Sequence, residues 1–137
     1  MKKIFAPLLF FSPVLFLSCK KNTPENSNEN LPSGTVLVSG TFTSNNHPTS
    51  GTVKVIKDVN NKIHLVFENF KTDNGPDIYV WLSPNTNGSP NEEIGLLKAV
   101  SGNFSYELGA GVNHTLNNRV LIWCKRFSVL FGHAVLQ

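Results

Sequence analysis

The last hydrophobic run of the chain, residues 120–136, most restricts how the chain can fold. It is too apolar for a surface segment, and its charged residues and glycine interrupt it too often for a membrane span. The apolar residues of its first half alternate with period two, so one set shares a face of an extended strand. That set is Val120, Ile122 and Cys124.

The second half of the run keeps its apolar residues on the same face only if the chain gains one extra residue. A β-bulge at Lys125 and Arg126 supplies such a residue. Gly132 then allows the backbone to bend or to approach a neighbour before a last short strand over residues 133–136. The run therefore predicts core strands that meet at a kink, and the second set on the core face is Phe127, Val129 and Phe131.

From Thr35 onward, the chain repeats the same period in short blocks separated by turn residues, a pattern typical of all-β domains. Residues 94–100 are the hardest block to assign, and Gly95 favours a strand there over a helical turn. The predicted blocks are residues 35–42, 52–57, 62–67, 78–82, 94–100 and 104–108. With the final run they predict about eight antiparallel strands in a single β-sandwich or flattened barrel over residues 35–137.

Two of these blocks, residues 52–57 and 62–67, are joined by a short polar loop and predict a β-hairpin. On the second strand, alternation places Ile63, Leu65 and Phe67 on one face. His64 is therefore expected to face solvent.

The N-terminus carries the features of an export signal. Two lysines precede the apolar stretch 4–17, which is too short to span a bilayer and contains two prolines. Ser18 directly before Cys19 resembles the bacterial lipobox, in which the cysteine is acylated. Residues 1–18 are thus predicted to be a lipoprotein signal peptide and Cys19 the lipid attachment site; the alternative is an ordinary secretory signal with a chance cysteine.

Residues 19–34 follow as a predicted flexible tether, because they hold one large apolar residue and cannot offset the entropy of ordering. Lys20 after the lipidated cysteine favours the outer membrane by resemblance to other lipoproteins. The expected location is the cell envelope, where the lipid on Cys19 binds the membrane. The sequence does not indicate whether the domain lies on the periplasmic or the outer face of that membrane.

The charge of the chain argues against nucleic acid as a partner. Charged residues make up 15%, and removal of Lys2 and Lys3 leaves ten basic against nine acidic residues. Common hydrolase, nucleotide and zinc motifs are missing, so the sequence leaves open whether the protein is an enzyme. The four histidines lack ligand spacing, so no metal site is predicted, and Glu92–Glu93 is interpreted as a solvated loop end.

Cys124 is the residue on which the function depends. If Cys19 carries lipid, Cys124 has no partner in the chain, so it is a free thiol, an intermolecular disulfide or a binding site. A buried, inert thiol is the structural alternative. Apolar neighbours disfavour a thiolate, whereas Lys125 or Arg126 would stabilise one, and on an unbroken strand Arg126 shares the face of Cys124.

Scattered residues over 34–137 together resemble one family, the DM-thirteen domain. The diagnostic part is Gly-Pro-Asp at 75–77, followed by Trp-Cys at 123–124 and a terminal Phe-Gly-x-Ala-x-Leu at 131–136. Weaker matches are Gly40-Thr41-Phe42, Ser50-Gly51-Thr52-Val53, Glu68-Asn69-Phe70, Leu82-Ser83, Leu97, Gly102, Tyr106, Ile122 and Phe127.

The resemblance implies a β-rich module for electron transfer around its characteristic cysteine. By that pattern Cys124 is the redox candidate and Asp77 a possible neighbour, and a separate redox protein is the expected electron partner. Position along the strand adds Trp123 and Arg126 as possible neighbours. No motif identifies a cofactor, so the sequence neither predicts nor excludes a bound haem or metal. The alternative is a non-enzymatic envelope binding module that uses the loops 44–51, 83–91 and 109–118, with a structural Cys124.

Overall fold

The computed structural model describes residues 23–137, and every regular element in that range is a β-strand. The strands are β1 Ser27–Asn28, β2 Gly34–Thr41, β3 Thr43–Ser44, β4 Thr49–Asp58, β5 Ile63–Thr72, β6 Ile78–Ser83, β7 Glu92–Leu96, β8 Ser101–Leu108, β9 Arg119–Cys124 and β10 Val129–Val135. The all-β prediction is confirmed. Of the eight longer strands, seven lie on predicted strand segments, and β7 covers only the first part of the predicted block 94–100, since residues 97–100 are not in a strand. The short strands β1 and β3 add two residues each. The predicted signal peptide and Cys19 lie outside the described residues.

The strands form two five-stranded sheets in a sandwich, with the orders β1-β8-β5-β4-β2 and β3-β10-β9-β6-β7. The pairs are antiparallel except β1 with β8. The predicted hairpin is present as β4 and β5. Over residues 23–137, no helix is long and apolar enough to cross a membrane.

Aromatic side chains fill the space between the sheets. Phe67 stacks on Phe104 with ring centroids 4.8 Å apart and meets Phe70 edge-on at 5.3 Å. Alternation turns Leu65 and Phe67 of β5 inward as predicted. Phe70 reaches the same face because the register shifts between Phe67 and Phe70, where Asn69 has a φ of 49°. Burial of each such side chain stabilises the fold by about 1.5–3 kcal/mol.

The final run forms a hairpin, not a kinked pair of strands. The set of β9 predicted to face the core does so, but residues 125–128 form a turn that reverses the chain. Ser128 adopts a φ of 51° in this turn. The predicted core position of Phe127 is therefore wrong, since its side chain lies on the turn and is 66% exposed.

The bulge predicted at residues 125–126 lies further along the chain. The register of β10 against β9 shifts between Leu130 and Gly132, so Phe131 is the extra residue, and it is buried as predicted. Gly132 packs so closely against Thr49 that a Cβ would clash with it. The predicted close approach at Gly132 is confirmed.

The structure corrects the predictions for two polar residues. The His64 ring is only 12% exposed, and its Nε2 lies 2.9 Å from Asp58 Oδ2. That hydrogen bond, helped by backbone amides, holds the pKa of Asp58 below its usual value. Glu93 is solvent-exposed as predicted, with 40% of its side chain accessible, but it belongs to strand β7 and not to a loop end. It accepts a hydrogen bond from Trp81 Nε1 at 3.2 Å.

The described part of the predicted tether lies against the domain. Its short strand β1 pairs in parallel with β8, and Glu29 forms a salt bridge with Lys98 at 3.1 Å. These contacts form because β8 lies at a sheet edge and offers free backbone groups. Residues 23–29 therefore follow the edge of the sandwich despite their polar composition.

Candidate functional site

Several chain segments meet at the end of the sandwich that holds Cys124, here called the cysteine end. Cys124 is the last residue of β9 and pairs in register with Ile78, the first residue of β6, and with Val129, the first residue of β10. The loops 45–48, 73–77 and 125–128 close this end. Segments far apart in sequence thus surround one thiol.

The sulfur of Cys124 is buried and hydrogen-bonded. The residue is 1% exposed and belongs to the hydrophobic core between the sheets. Its thiol donates to the carbonyl oxygen of Pro76 at 3.1 Å. Cys124 is the only cysteine among residues 23–137, and it is a free thiol. The sulfur is therefore out of reach of a second protein thiol unless the loop 73–77 moves.

Asp77 ties the loop 73–77 to the turn after β9. Its backbone has a φ of 53°, and its carbonyl accepts a hydrogen bond from the Lys125 amide at 3.0 Å. Its carboxylate lies 3.3 Å from Arg126 Nε. Asp77 and Arg126, both expected near Cys124, thus form an ion pair across the loop that covers the sulfur.

Trp123 and Lys125 lie on the other face of the sheet. Trp123 stacks on Trp81 with centroids 5.1 Å apart. Lys125 Nζ lies 2.9 Å from Glu93 and 4.4 Å from the Tyr79 ring centroid. The Glu93 carboxylate raises the pKa of Lys125. Neither Trp123 nor Lys125 is therefore turned toward the sulfur.

His47 and Asp73 also belong to the cysteine end, although the sequence did not single them out. The His47 ring stacks on Phe131 at 3.8 Å between centroids, and its Nδ1 lies 2.9 Å from Asp73 Oδ2. The His47 amide donates to the Phe131 carbonyl. Both residues sit in polar loops with no motif around them, so only the sheet topology brings them together.

The surroundings of Cys124 do not fit a haem. Surface cavities of about 570, 270 and 260 Å³ are present, and none of them is lined by Cys124. Within residues 23–137, no three His, Cys, Asp or Glu side chains are arranged to hold a metal. Cys124 is 1% exposed within the core cluster and bonded to Pro76, so a haem iron could reach the sulfur only if the loop 73–77 moved.

Comparison with known proteins identifies the domain. The family model described as electron transfer DM13 matches residues 41–136, well over half of the chain and a range that includes Cys124 and its covering loop. Searches of the curated proteins and of the solved structures each returned no match. The chain therefore belongs to the electron transfer DM13 family.

Proposed function

We propose that the protein is a membrane-anchored lipoprotein of the cell envelope whose DM13 domain transfers electrons through the Cys124 thiol. The family assignment supports the electron-transfer role. The observation that carries the role of Cys124 is its placement. Among residues 23–137 it is the one free thiol, buried at one end of the sandwich and hydrogen-bonded to the loop that covers it.

The burial of the sulfur favours electron transfer over thiol–disulfide exchange. Exchange requires a second thiolate to reach the sulfur, which is 1% exposed. An electron can instead cross a thin layer of packed protein to a one-electron acceptor in a separate redox protein. The thiol would lose one electron to this acceptor, and its proton would leave to solvent when the loop 73–77 moves. A one-electron reductant and a proton from solvent would restore the thiol.

The electron-transfer role is tested with the full-length protein and a strong small one-electron oxidant such as hexachloroiridate(IV), because a lone thiol loses an electron only at high potential. We expect the wild type to consume one equivalent more per chain than Cys124→Ser, in which the aromatic side chains remain as the other oxidisable groups. If the two proteins consume the oxidant equally, the role of Cys124 fails. The binding module with a structural thiol then replaces it.

Alkylation kinetics test whether the loop 73–77 controls access to the sulfur. Arg126→Ala removes the ion pair with Asp77 and should speed alkylation of Cys124 by a small reagent several-fold. Lys62→Ala is the matched control, because it removes an exposed ion pair with Glu107 far from the cysteine end. Equal rates in both variants would show that the ion pair does not hold the loop closed.

The anchor is proposed from the N-terminal sequence. An apolar stretch ends at Ser18 and Cys19, and Lys20 follows, which supports lipidation of Cys19 and an outer-membrane location. Labelling of cells with a palmitate analogue, followed by membrane fractionation, tests it. We expect Cys19→Ala to lose both label and membrane association, and unchanged labelling in that variant would contradict the proposal.

A further inference from the structure

The chain enters the domain at the cysteine end. Thr23, the first described residue, accepts a hydrogen bond through its carbonyl from Asn74 Nδ2 at 3.3 Å. The next carbonyl, that of Pro24, accepts from the Val100 amide at 2.9 Å, and Val100 in turn accepts from Thr72 at the end of β5. The entry point therefore lies beside the loop that covers Cys124.

This entry point restricts where the domain can sit relative to a lipid on Cys19. Cys19 and Thr23 are four residues apart, and an extended chain spans at most about 3.3–3.6 Å per residue, or about 14 Å in all. The ten-residue strand β4 runs from the cysteine end to the opposite end, roughly 30 Å away at about 3.3 Å per residue. An anchor at Cys19 therefore holds the cysteine end near the lipid and leaves the opposite end free.

The cysteine end also carries an exposed aromatic residue. Phe127, at the turn between β9 and β10, is 66% exposed. The two cations before it are paired, Lys125 with Glu93 and Arg126 with Asp77. The turn therefore presents an apolar ring beside two cations whose charges are neutralised by carboxylates. Such a surface suits the boundary between lipid headgroups and acyl chains.

We propose that the turn 125–128 docks on the lipid surface through Phe127, which holds the cysteine end against the membrane. This inference rests on the proposed lipid anchor at Cys19. A single aromatic residue binds a bilayer weakly, but a short tether raises its effective concentration at the surface to about the millimolar range. The weak contact then suffices to orient the domain. The electron partner of Cys124 would consequently approach from the membrane side.

The experiment uses the full-length lipoprotein in vesicles of phosphatidylethanolamine and phosphatidylglycerol that contain a nitroxide-bearing phospholipid. A fluorophore is attached at Ser128→Cys, which keeps Phe127, or at Val59→Cys in the opposite hairpin. Val59 is 90% exposed and serves as the matched control. Wild type treated with the same reagent measures labelling at the buried Cys124. We expect the lipid quencher to act several-fold more strongly at position 128 than at position 59.

A second variant separates the aromatic contact from the effect of the tether. Adding Phe127→Ser to Ser128→Cys should reduce the quenching at position 128 clearly. Undiminished quenching overturns docking through Phe127, and equal quenching at positions 59 and 128 overturns the orientation. Flotation of the vesicles distinguishes these failures from failure of the anchor. Protein that does not float with the lipid contradicts the lipid attachment itself, and the docking with it.

Discussion

The thiol of Cys124 donates a hydrogen bond to the carbonyl oxygen of Pro76, 48 residues earlier in the chain, at 3.1 Å. This contact joins the end of β9 to the loop that precedes β6. It gives the carbonyl of the half-buried Pro76 a donor and places the sulfur beneath the loop 73–77. The same atom thus has a structural contact and a proposed chemical role, and substitutions can separate the two.

Cys124→Ala should destabilise the fold by about 1–3 kcal/mol, because the half-buried Pro76 carbonyl loses its donor and the core loses the sulfur atom. Cys124→Ser keeps a donor and should cost less. Chemical denaturation of the two variants measures the difference. A serine variant less stable than the alanine variant would show that the sulfur stabilises the fold as an apolar group instead.

Phe131→Ala should cost about 3–5 kcal/mol in the free energy of unfolding, since it removes a buried ring. Phe131 is 4% exposed and stacks on His47. Phe127→Ala is the matched control and should stay within about 0.5 kcal/mol, because that ring is largely in solvent. Urea denaturation of both variants checks the contrast, and similar losses would contradict the hairpin turn described for residues 125–128.

Gly132→Ala should destabilise the protein by about 1–3 kcal/mol, because a Cβ at this position meets the Thr49 side chain and the Thr43 carbonyl. Gly111→Ala provides the comparison, since a Cβ there has no neighbour within 4 Å. Thermal unfolding should therefore show a lowered Tm for Gly132→Ala alone. A Tm near that of the wild type would mean that β10 can move away from Thr49.

Stability should fall as the pH drops below about 6.5, in part through His133. Burial, followed by the charge of Arg119, lowers the pKa of His133 in the folded state. The unfolded chain then binds the proton more readily, so this contribution is complete above the unfolded pKa of about 6.5 and is lost on acidification. His133→Gln should lose less stability than the wild type between about pH 7.5 and pH 5 in denaturation curves. Parallel curves would exclude His133 as a source of the dependence.

The sequence predicted the strands better than their connections. Alternation in β9 correctly placed Ile122 and Cys124 inward, because each pleat reverses the side-chain direction whatever the topology. Alternation gave the wrong position for Phe127. The residues after Cys124 could form either a one-residue bulge within a continuing strand or a four-residue turn, and the apolar pattern does not distinguish the two. The turn 125–128 contains no glycine, proline or asparagine to mark it, and Ser128 supplies the left-handed conformation instead.

The candidate site was predictable only in part. Asp77 was expected near Cys124 from the family pattern and Arg126 from the geometry of an unbroken strand. The strand ends at Cys124, yet the structure pairs the two side chains over the covering loop. His47 and Asp73 could not be found, because their contact depends on which strands become neighbours in each sheet. Such contacts between distant loops leave no local signature in a sequence.

The parallel pairing of β1 with β8 affects how copies of the protein behave beside one another. Backbone groups on an outermost strand can template pairing with a second chain, and β1 occupies part of that row on β8. The family match begins at Thr41 and so leaves out β1 and almost all of β2, the two outer strands of this sheet. A protein cut to those bounds would expose β8 and β4 along their lengths. We expect such a truncated protein to self-associate through these strand edges, and residues 23–40 to prevent this in the longer chain.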